Sequence, residues 1–234
     1  MLIVIICIIL LVFLFYSFIP SNINKKRFFN RKVLNNDEKN IYLTFDDGPS
    51  KYTEELLNLL NKYNVKATFF CVANFAQKYP EIISRFKEEG HYITLHSLKH
   101  KNSMLQGMLE TKKDLKQSLE IMQNLKVEIR YYRPPWGDAN IFLQYLLKKE
   151  RIEMILWDVM AEDWQGNTTD EIIKQKLLSR VKAGNIICLH DGRGSNEAPK
   201  RTIKALEKVI PILLDEGYKF KTIEGYEKQY EFKN

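Results

Sequence analysis

Amphipathic stretches in this chain repeatedly end on a glycine that a short apolar run follows at once. Glu89-Gly90-His91, Ala183-Gly184-Asn185 and Glu216-Gly217-Tyr218 share this form. A glycine there suits the left-handed end of a helix, and a strand starts directly after it. Repetition of helix, glycine and strand is the punctuation of βα units and favours a parallel sheet. Seven strand-like runs keep this rhythm, at 41–45, 67–72, 91–95, 129–133, 153–157, 186–189 and 219–222. Helix-like segments separate them, near 54–63, 75–88, 104–125, 140–149, 170–181 and 202–216. Leu56, Leu57, Leu59 and Leu60 cluster as on a helix that packs against a sheet. Thr168 or Thr169 is placed to N-cap the segment that begins near Glu171.

Periodicity alone fits either a closed barrel or an open doubly wound sheet. Polar residues discriminate. Asp46-Asp47, His96, Arg133, Asp158 and His190-Asp191 each fall at the C-terminal end of a strand-like run. A barrel assembles its site from many strand ends on that face, whereas an open sheet concentrates its ligand at one switch point. The sequence therefore predicts an α/β barrel of seven βα units.

The first residues behave differently. From Leu2 to Ile19 the chain is apolar except for Tyr16 and Ser17. That length crosses the hydrocarbon core of a bilayer as one helix. It exceeds a usual signal-peptide core, and no small-x-small cleavage site follows, so an uncleaved anchor is expected over 1–20. Residues 21–39 are polar and basic and read as a juxtamembrane linker, leaving 40–234 as one domain large enough for a single core. Lys25, Lys26, Arg27, Arg31 and Lys32 follow the apolar run, which by the positive-inside rule favours a cytoplasmic domain.

The formal net charge of +7 carries little information. Lysines are spread over every helix-like segment, with no basic block beyond the linker and no aromatic-interleaved basic motif, so no nucleic acid is expected as a partner. Cys71 and Cys188 sit singly in apolar runs and read as buried hydrophobes, not as a disulfide.

Five short constellations carry chemistry. In Thr44-Phe45-Asp46-Asp47-Gly48-Pro49, two adjacent carboxylates at a strand end point in different directions, so that one can coordinate a cation while the other faces a substrate. In His96-Ser97-Leu98-Lys99-His100, two imidazoles at i and i+4 are expected on one face of a helical turn, the spacing of a chelate. His91, inside a glycine turn, reads as structural. Arg133-Pro134-Pro135-Trp136-Gly137 places a guanidinium where it can hold a carboxylate ionised, ahead of a stiff turn whose N–H at Trp136 can donate to an oxyanion. Trp157 and Trp164 bracket Asp158, Glu162 and Asp163 in what suits a pocket wall. In Leu189-His190-Asp191-Gly192, a histidine at a strand end is placed to act as a general acid.

Taken in order, Thr-Phe-Asp-Asp-Gly-Pro, His-Ser-x-x-His, Arg-Pro-Pro-Trp-Gly, Asp-Trp and Leu-His-Asp resemble the motifs of the NodB-type polysaccharide deacetylases, carbohydrate esterase family 4. The resemblance runs over 41–222 and implies a distorted (β/α)7 barrel. It implies Asp46 as the catalytic base, Asp47, His96 and His100 as the metal triad, Arg133 as the group that orients Asp46, and Trp136 as the oxyanion donor. His190 would be the general acid, with Leu189 and Trp164 shaping the acetyl pocket. The family pattern usually reads Asp-x-x-Asp-Trp, and its first aspartate, thought to support the catalytic histidine, falls here on Met160; Asp158 or Asp163 is left to take that part.

The activity implied is metal-dependent hydrolysis of a linear amide, the removal of N-acetyl groups from a polysaccharide such as the N-acetylglucosamine or N-acetylmuramic acid units of peptidoglycan. Zinc suits an Asp-His-His set, and cobalt or nickel fits the same ligand types. A membrane-held, monomeric catalytic domain in the cell envelope is expected. Three alternatives share these residues: a sugar O-acetyl esterase, a catalytically silent glycan-binding protein, and a cytoplasmic amidohydrolase.

Overall fold

The computed structural model describes residues 1–34 and 38–231, apart from the side chain of Glu227. Residues 35–37 of the expected linker and 232–234 of the expected catalytic domain lie outside the described residues. Among the described residues ten strands run in chain order: β1 Lys32–Val33, β2 Asn40–Asp46, β3 Thr68–Cys71, β4 Tyr92–Leu95, β5 Tyr131–Tyr132, β6 Glu153–Met154, β7 Val159–Met160, β8 Ile186–His190, β9 Lys219–Lys221 and β10 Tyr230–Glu231. β2 to β9 form one parallel, curled sheet in the order β6-β5-β4-β3-β2-β8-β7, with β9 beside the start of β2. Helices cover its outer face. This is the distorted (β/α)7 barrel, and each of the seven strand-like runs lies in it.

The run at 153–157 behaves unlike the rest. Instead of one strand it is an extended segment that leaves one edge of the sheet and reaches the other. Ile155 N–H donates to Tyr132 O at 3.0 Å, and Asp158 N–H donates to Ile186 O at 2.9 Å. One chain segment thus bridges β5 and β8, and the ladder on either side shrinks to the two-residue β6 and β7.

Alternation along the strands divides the interior into two compartments. Ile41, Leu43 and Phe45 of β2 belong to the layer between sheet and helices, with Phe69 stacked on Phe45 at 5.3 Å and on Phe86 at 3.9 Å between ring centroids. Tyr42 belongs to a second cluster with Phe70, Tyr131, Ile155, Leu156, Ile186 and Tyr226, which plugs the N-terminal end of the barrel. Thr44 and Asp46 follow Tyr42 on the same face, so the barrel axis runs from apolar plug to carboxylate. Gly90 and Gly217 close the helices Pro80–Glu88 and Ala198–Asp215 with φ of 74° and 84°, as their place in the sequence predicts. Thr169 is the N-cap of Asp170–Arg180, accepting from Ile172 N–H at 3.3 Å.

The N-terminal segment requires a correction. Leu2–Phe29 is one helix that contains an 18-residue stretch of mean hydropathy 3.3, long and apolar enough to cross a membrane. Residues 1–15 are exposed, but the helix runs well into the expected linker and packs on the domain. Ser17 Oγ donates to Met104 O at 2.8 Å, Lys25 Nζ pairs with Asp138 at 2.6 Å, and Phe28 is buried. Arg31 lies under 4 Å from the Phe28 ring and donates to Asp158 Oδ2 at 2.7 Å and to Tyr226 Oη at 2.8 Å. β1 then pairs antiparallel with β10. Two basic residues of the expected linker, Lys25 and Arg31, are thus taken up in ion pairs with carboxylates far along the chain. Replacing Phe69 by Ala should cost about 3–5 kcal/mol of stability, since it empties the centre of an aromatic stack; chemical denaturation of the full chain in detergent measures this.

Candidate metal centre and active site

The site is built where β2, β4, β5 and β8 end. β2 runs out on Asp46, and Asp47 then turns with φ of 72°. Two Asp-Gly turns interlock here: a Cβ at Gly48 would overlap the Asp191 carboxylate, and one at Gly192 would overlap the Asp47 carbonyl. The buried Asp191 receives Thr53 Oγ1 at 2.6 Å, and burial pushes its pKa up to about 7. Its place is in the packing beneath the site.

His96 and His100 converge on Asp47, though not from a helical turn. Residues 96–100 form a loop in which Ser97 and His100 both have positive φ, 72° and 55°, and Ser97 Oγ accepts from His100 N–H at 2.9 Å. Left-handed backbone at non-glycine residues costs about 1–3 kcal/mol each, and Asp47, Ser97, His100 and Trp136 all bear it. Asp47 Oδ1 lies 3.3 Å from His96 Nε2 and 3.0 Å from His100 Nε2. His96 Nδ1 is 2.7 Å from Arg133 O. A proton on Nδ1 satisfies that carbonyl and leaves Nε2 as a lone pair facing the carboxylate. Asp47 Oδ1 and His100 Nδ1 are both buried without a hydrogen-bond partner. Lone-pair donors facing one another at such distances fit a cation between them, and the three residues form a group that could hold a metal ion. Burial pushes the Asp47 pKa up, but the His100 and His96 imidazoles outweigh it and hold it well below the usual range.

Arg133 is wholly buried in the barrel axis. Its Nη1 donates to Asp46 Oδ1 and to Thr44 Oγ1, both at 2.7 Å, and its Nη2 donates to Leu156 O at 3.0 Å. The guanidinium stacks 3.8 Å from the Phe70 ring. It therefore fixes Asp46 from below and reads the carbonyls of the bridging segment at once. Cys188 Sγ approaches the other oxygen of Asp46 at 3.4 Å, a contact that the sequence did not suggest.

On the far side, His190 Nδ1 pairs with Asp163 Oδ1 at 2.9 Å, while Asp163 Oδ2 accepts from His190 N–H and from Thr202 Oγ1, each at 2.8 Å. Burial lowers the His190 pKa, but the Asp163 charge and hydrogen bond, with Asp47 and Asp46 beyond, push it up to about 9. A raised imidazole pKa makes this pair a source of stability that is complete below the unfolded value near 6.5 and is lost as pH rises through about 9. Asp158 is not brought to the site. It sits by the N-terminal end of β8, accepting from Ile186 N–H at 2.9 Å and from Arg31.

A cavity of about 440 Å³ opens above these groups. Asp46, Asp47, His96, His100 and His190 form its floor, and Trp136, Trp157, Met160 and Trp164 its walls. Trp136 packs on His100 at 4.5 Å and Trp164 on His190 at 5.2 Å between ring centroids. Leu189 does not line it: strand alternation turns His190 inward and sends Leu189 into the layer under the helices. Arg193 and Ser195 at the rim escaped the sequence reading, although they directly follow the His190-Asp191-Gly192 motif.

The sequence pattern of the polysaccharide deacetylase family matches residues 34–155, just over half of the chain. The chain belongs to that family. It is 31% identical over 191 residues to a peptidoglycan-N-acetylglucosamine deacetylase of Bacillus cereus, covering 80% of this chain and 88% of that one. With a peptidoglycan-N-acetylmuramic acid deacetylase of Bacillus subtilis it shares 32% over 205 residues, covering 83% and 74%. A crystal structure of a peptidoglycan N-acetylglucosamine deacetylase superposes with a TM-score of 0.76 at 28% identity, over 82% of this chain and 90% of the other. A family 4 carbohydrate esterase from Streptomyces lividans in complex with acetate gives 0.71 at 27%, over 78% and 92%.

In this member of the family the methionine at 160 does not leave the histidine unsupported. Met160 forms cavity wall, and Asp163 alone supplies the carboxylate for His190. The pair on which the site stands is Arg133–Asp46. Arg133→Met should destabilise the fold by about 3–5 kcal/mol, because it strands a buried carboxylate. A denaturation midpoint close to that of the parent would contradict this.

Proposed function

We propose that this chain is a metal-dependent N-deacetylase of an N-acetylated glycan, with the N-acetylglucosamine or N-acetylmuramic acid units of peptidoglycan or another surface glycan as substrate. The observation that carries the reading is the convergence of Asp47, His96 and His100 next to the Asp46–Arg133 pair and across from Asp163–His190. The names of the relatives, deacetylases of peptidoglycan and of chitooligosaccharides, support the substrate class.

Asp47, His96 and His100 would hold a divalent ion, with zinc the best match to two imidazoles and a carboxylate. Such an ion polarises the acetamide carbonyl and acidifies water. Asp46, fixed by Arg133, takes the proton of the attacking water. Trp136 N–H donates to the carbonyl oxygen as it gains charge. His190, held protonated by Asp163, passes its proton to the departing nitrogen. The C–N bond breaks, and acetate and a free amino sugar result. Trp164 and Met160 confine the acetyl methyl group, with Leu189 setting His190 from behind.

Residues 1–20 serve as the membrane anchor in this reading, 21–39 as its connection, and 40–234 as the monomeric catalytic domain on the outer face. The basic residues after the apolar run argue for the opposite side, but Lys25 and Arg31 are taken up by Asp138 and Asp158. A reporter fused after Asn234 distinguishes the two orientations.

Acetate release from chitin oligomers and peptidoglycan should require added metal, stop on chelation and fall at least about a thousandfold in Asp46→Asn. Full activity after either treatment sinks the mechanism, and release only from O-acetylated sugars makes the chain an esterase. His190 must be protonated to act, and Asp163 raises its pKa, so activity should persist above neutral pH and decline at alkaline pH. In Asp163→Asn the alkaline limb of kcat should move down toward the ordinary imidazole value of 6.5; an unmoved limb excludes His190 as the acid.

A further inference from the structure

The apolar helix is exposed over only part of the length that a bilayer demands. Residues 1–15 stand clear of the domain, and Ser17 is already buried against Met104. The fourteen helical residues among them span about 21 Å, against about 30 Å for a hydrocarbon core, a deficit of about 9 Å. A helix that crosses completely therefore draws the docked edge of the domain into the membrane.

That edge is suited to it. Beside Ser17, the turn Ser103–Leu105 and the start of the helix Met108–Asn124 present Leu105, Met108 and Leu109, which are 80%, 59% and 87% exposed. Three large apolar side chains so exposed, continuous with an exposed apolar helix, form a patch that water does not favour. Lys112 and Lys113 stand exposed one turn further on, with no carboxylate partner among the described residues, where anionic phosphates would lie. Glu110, the carboxylate within the patch, is neutralised by Lys101 at 2.7 Å.

We propose that the corner 103–109 is a second membrane contact, seated in the lipid interface next to the apolar helix. Leu105, Met108 and Leu109 enter the acyl boundary, and Lys112 and Lys113 meet the phosphates. The occupant is a bilayer surface. The inference rests on the helix lying in a bilayer, which the same experiment reads separately.

The test uses the full chain in vesicles of phosphatidylcholine with one quarter phosphatidylglycerol. Nitroxide labels are placed singly at Phe13→Cys, Leu105→Cys, Leu109→Cys and Glu207→Cys in a Cys7→Ser background, where Cys71 and Cys188 are buried. Collision with oxygen and with a neutral nickel chelate is compared at each. Leu105→Cys and Leu109→Cys should share the lipid signature of Phe13→Cys, favouring oxygen severalfold over the chelate, while Glu207→Cys reads as water. Aqueous signatures at 105 and 109 beside a lipid signature at 13 overturn the second contact alone. An aqueous signature at 13 overturns the anchor and the inference with it.

Discussion

A guanidinium in the middle of a barrel is the constraint around which this molecule is arranged. Burying an ion costs several kcal/mol unless its hydrogen bonds are met, and Arg133 meets them with a carboxylate, a hydroxyl and carbonyls of the bridging segment. The partners come from two distant parts of the chain. Thr44 and Asp46 lie on β2, and Leu156 on the segment that joins the sheet edges. The backbone carbonyl of Arg133 also takes up His96 Nδ1. One residue thus ties the closure of the barrel, the carboxylate above it and the orientation of an imidazole.

The two sides of the cavity are tuned in opposite senses. Asp47 is held ionised by two imidazoles, and His190 is held protonated by one carboxylate. Burial opposes both, so each state depends on its named neighbours. Groups whose environments push their proton affinities apart are what acid–base chemistry near neutral pH requires.

Much of this was legible in the sequence because short-range rules decide it. Glycine punctuation gave the βα rhythm, and polar residues at strand ends pointed to the mouth of the barrel. Where the reading failed, distant parts of the chain made the decision. Asp158 looked like a site residue until Arg31, 127 positions away, claimed it. Leu189 was misplaced because strand alternation turns it away from its neighbour His190. The i and i+4 spacing of His96 and His100 predicts a helical turn, because spacing does not reveal left-handed backbone at Ser97 and His100. Cys188 beside Asp46 depends on strand register, which no local pattern encodes.

The docked helix also fixes how far the cavity can reach. A disordered connection of nineteen residues would let the pocket wander by about 24 Å around its anchor. Ion pairs at Asp138 and Asp158 and the β1–β10 pairing replace that radius with one bearing. With the helix in a bilayer, the cavity samples a thin shell of space at constant height. On the proposed function, glycan inside the shell would meet it at high effective concentration, and glycan outside it would not be met. Selectivity would then come partly from where along the depth of the wall a sugar stands, whatever its chemistry.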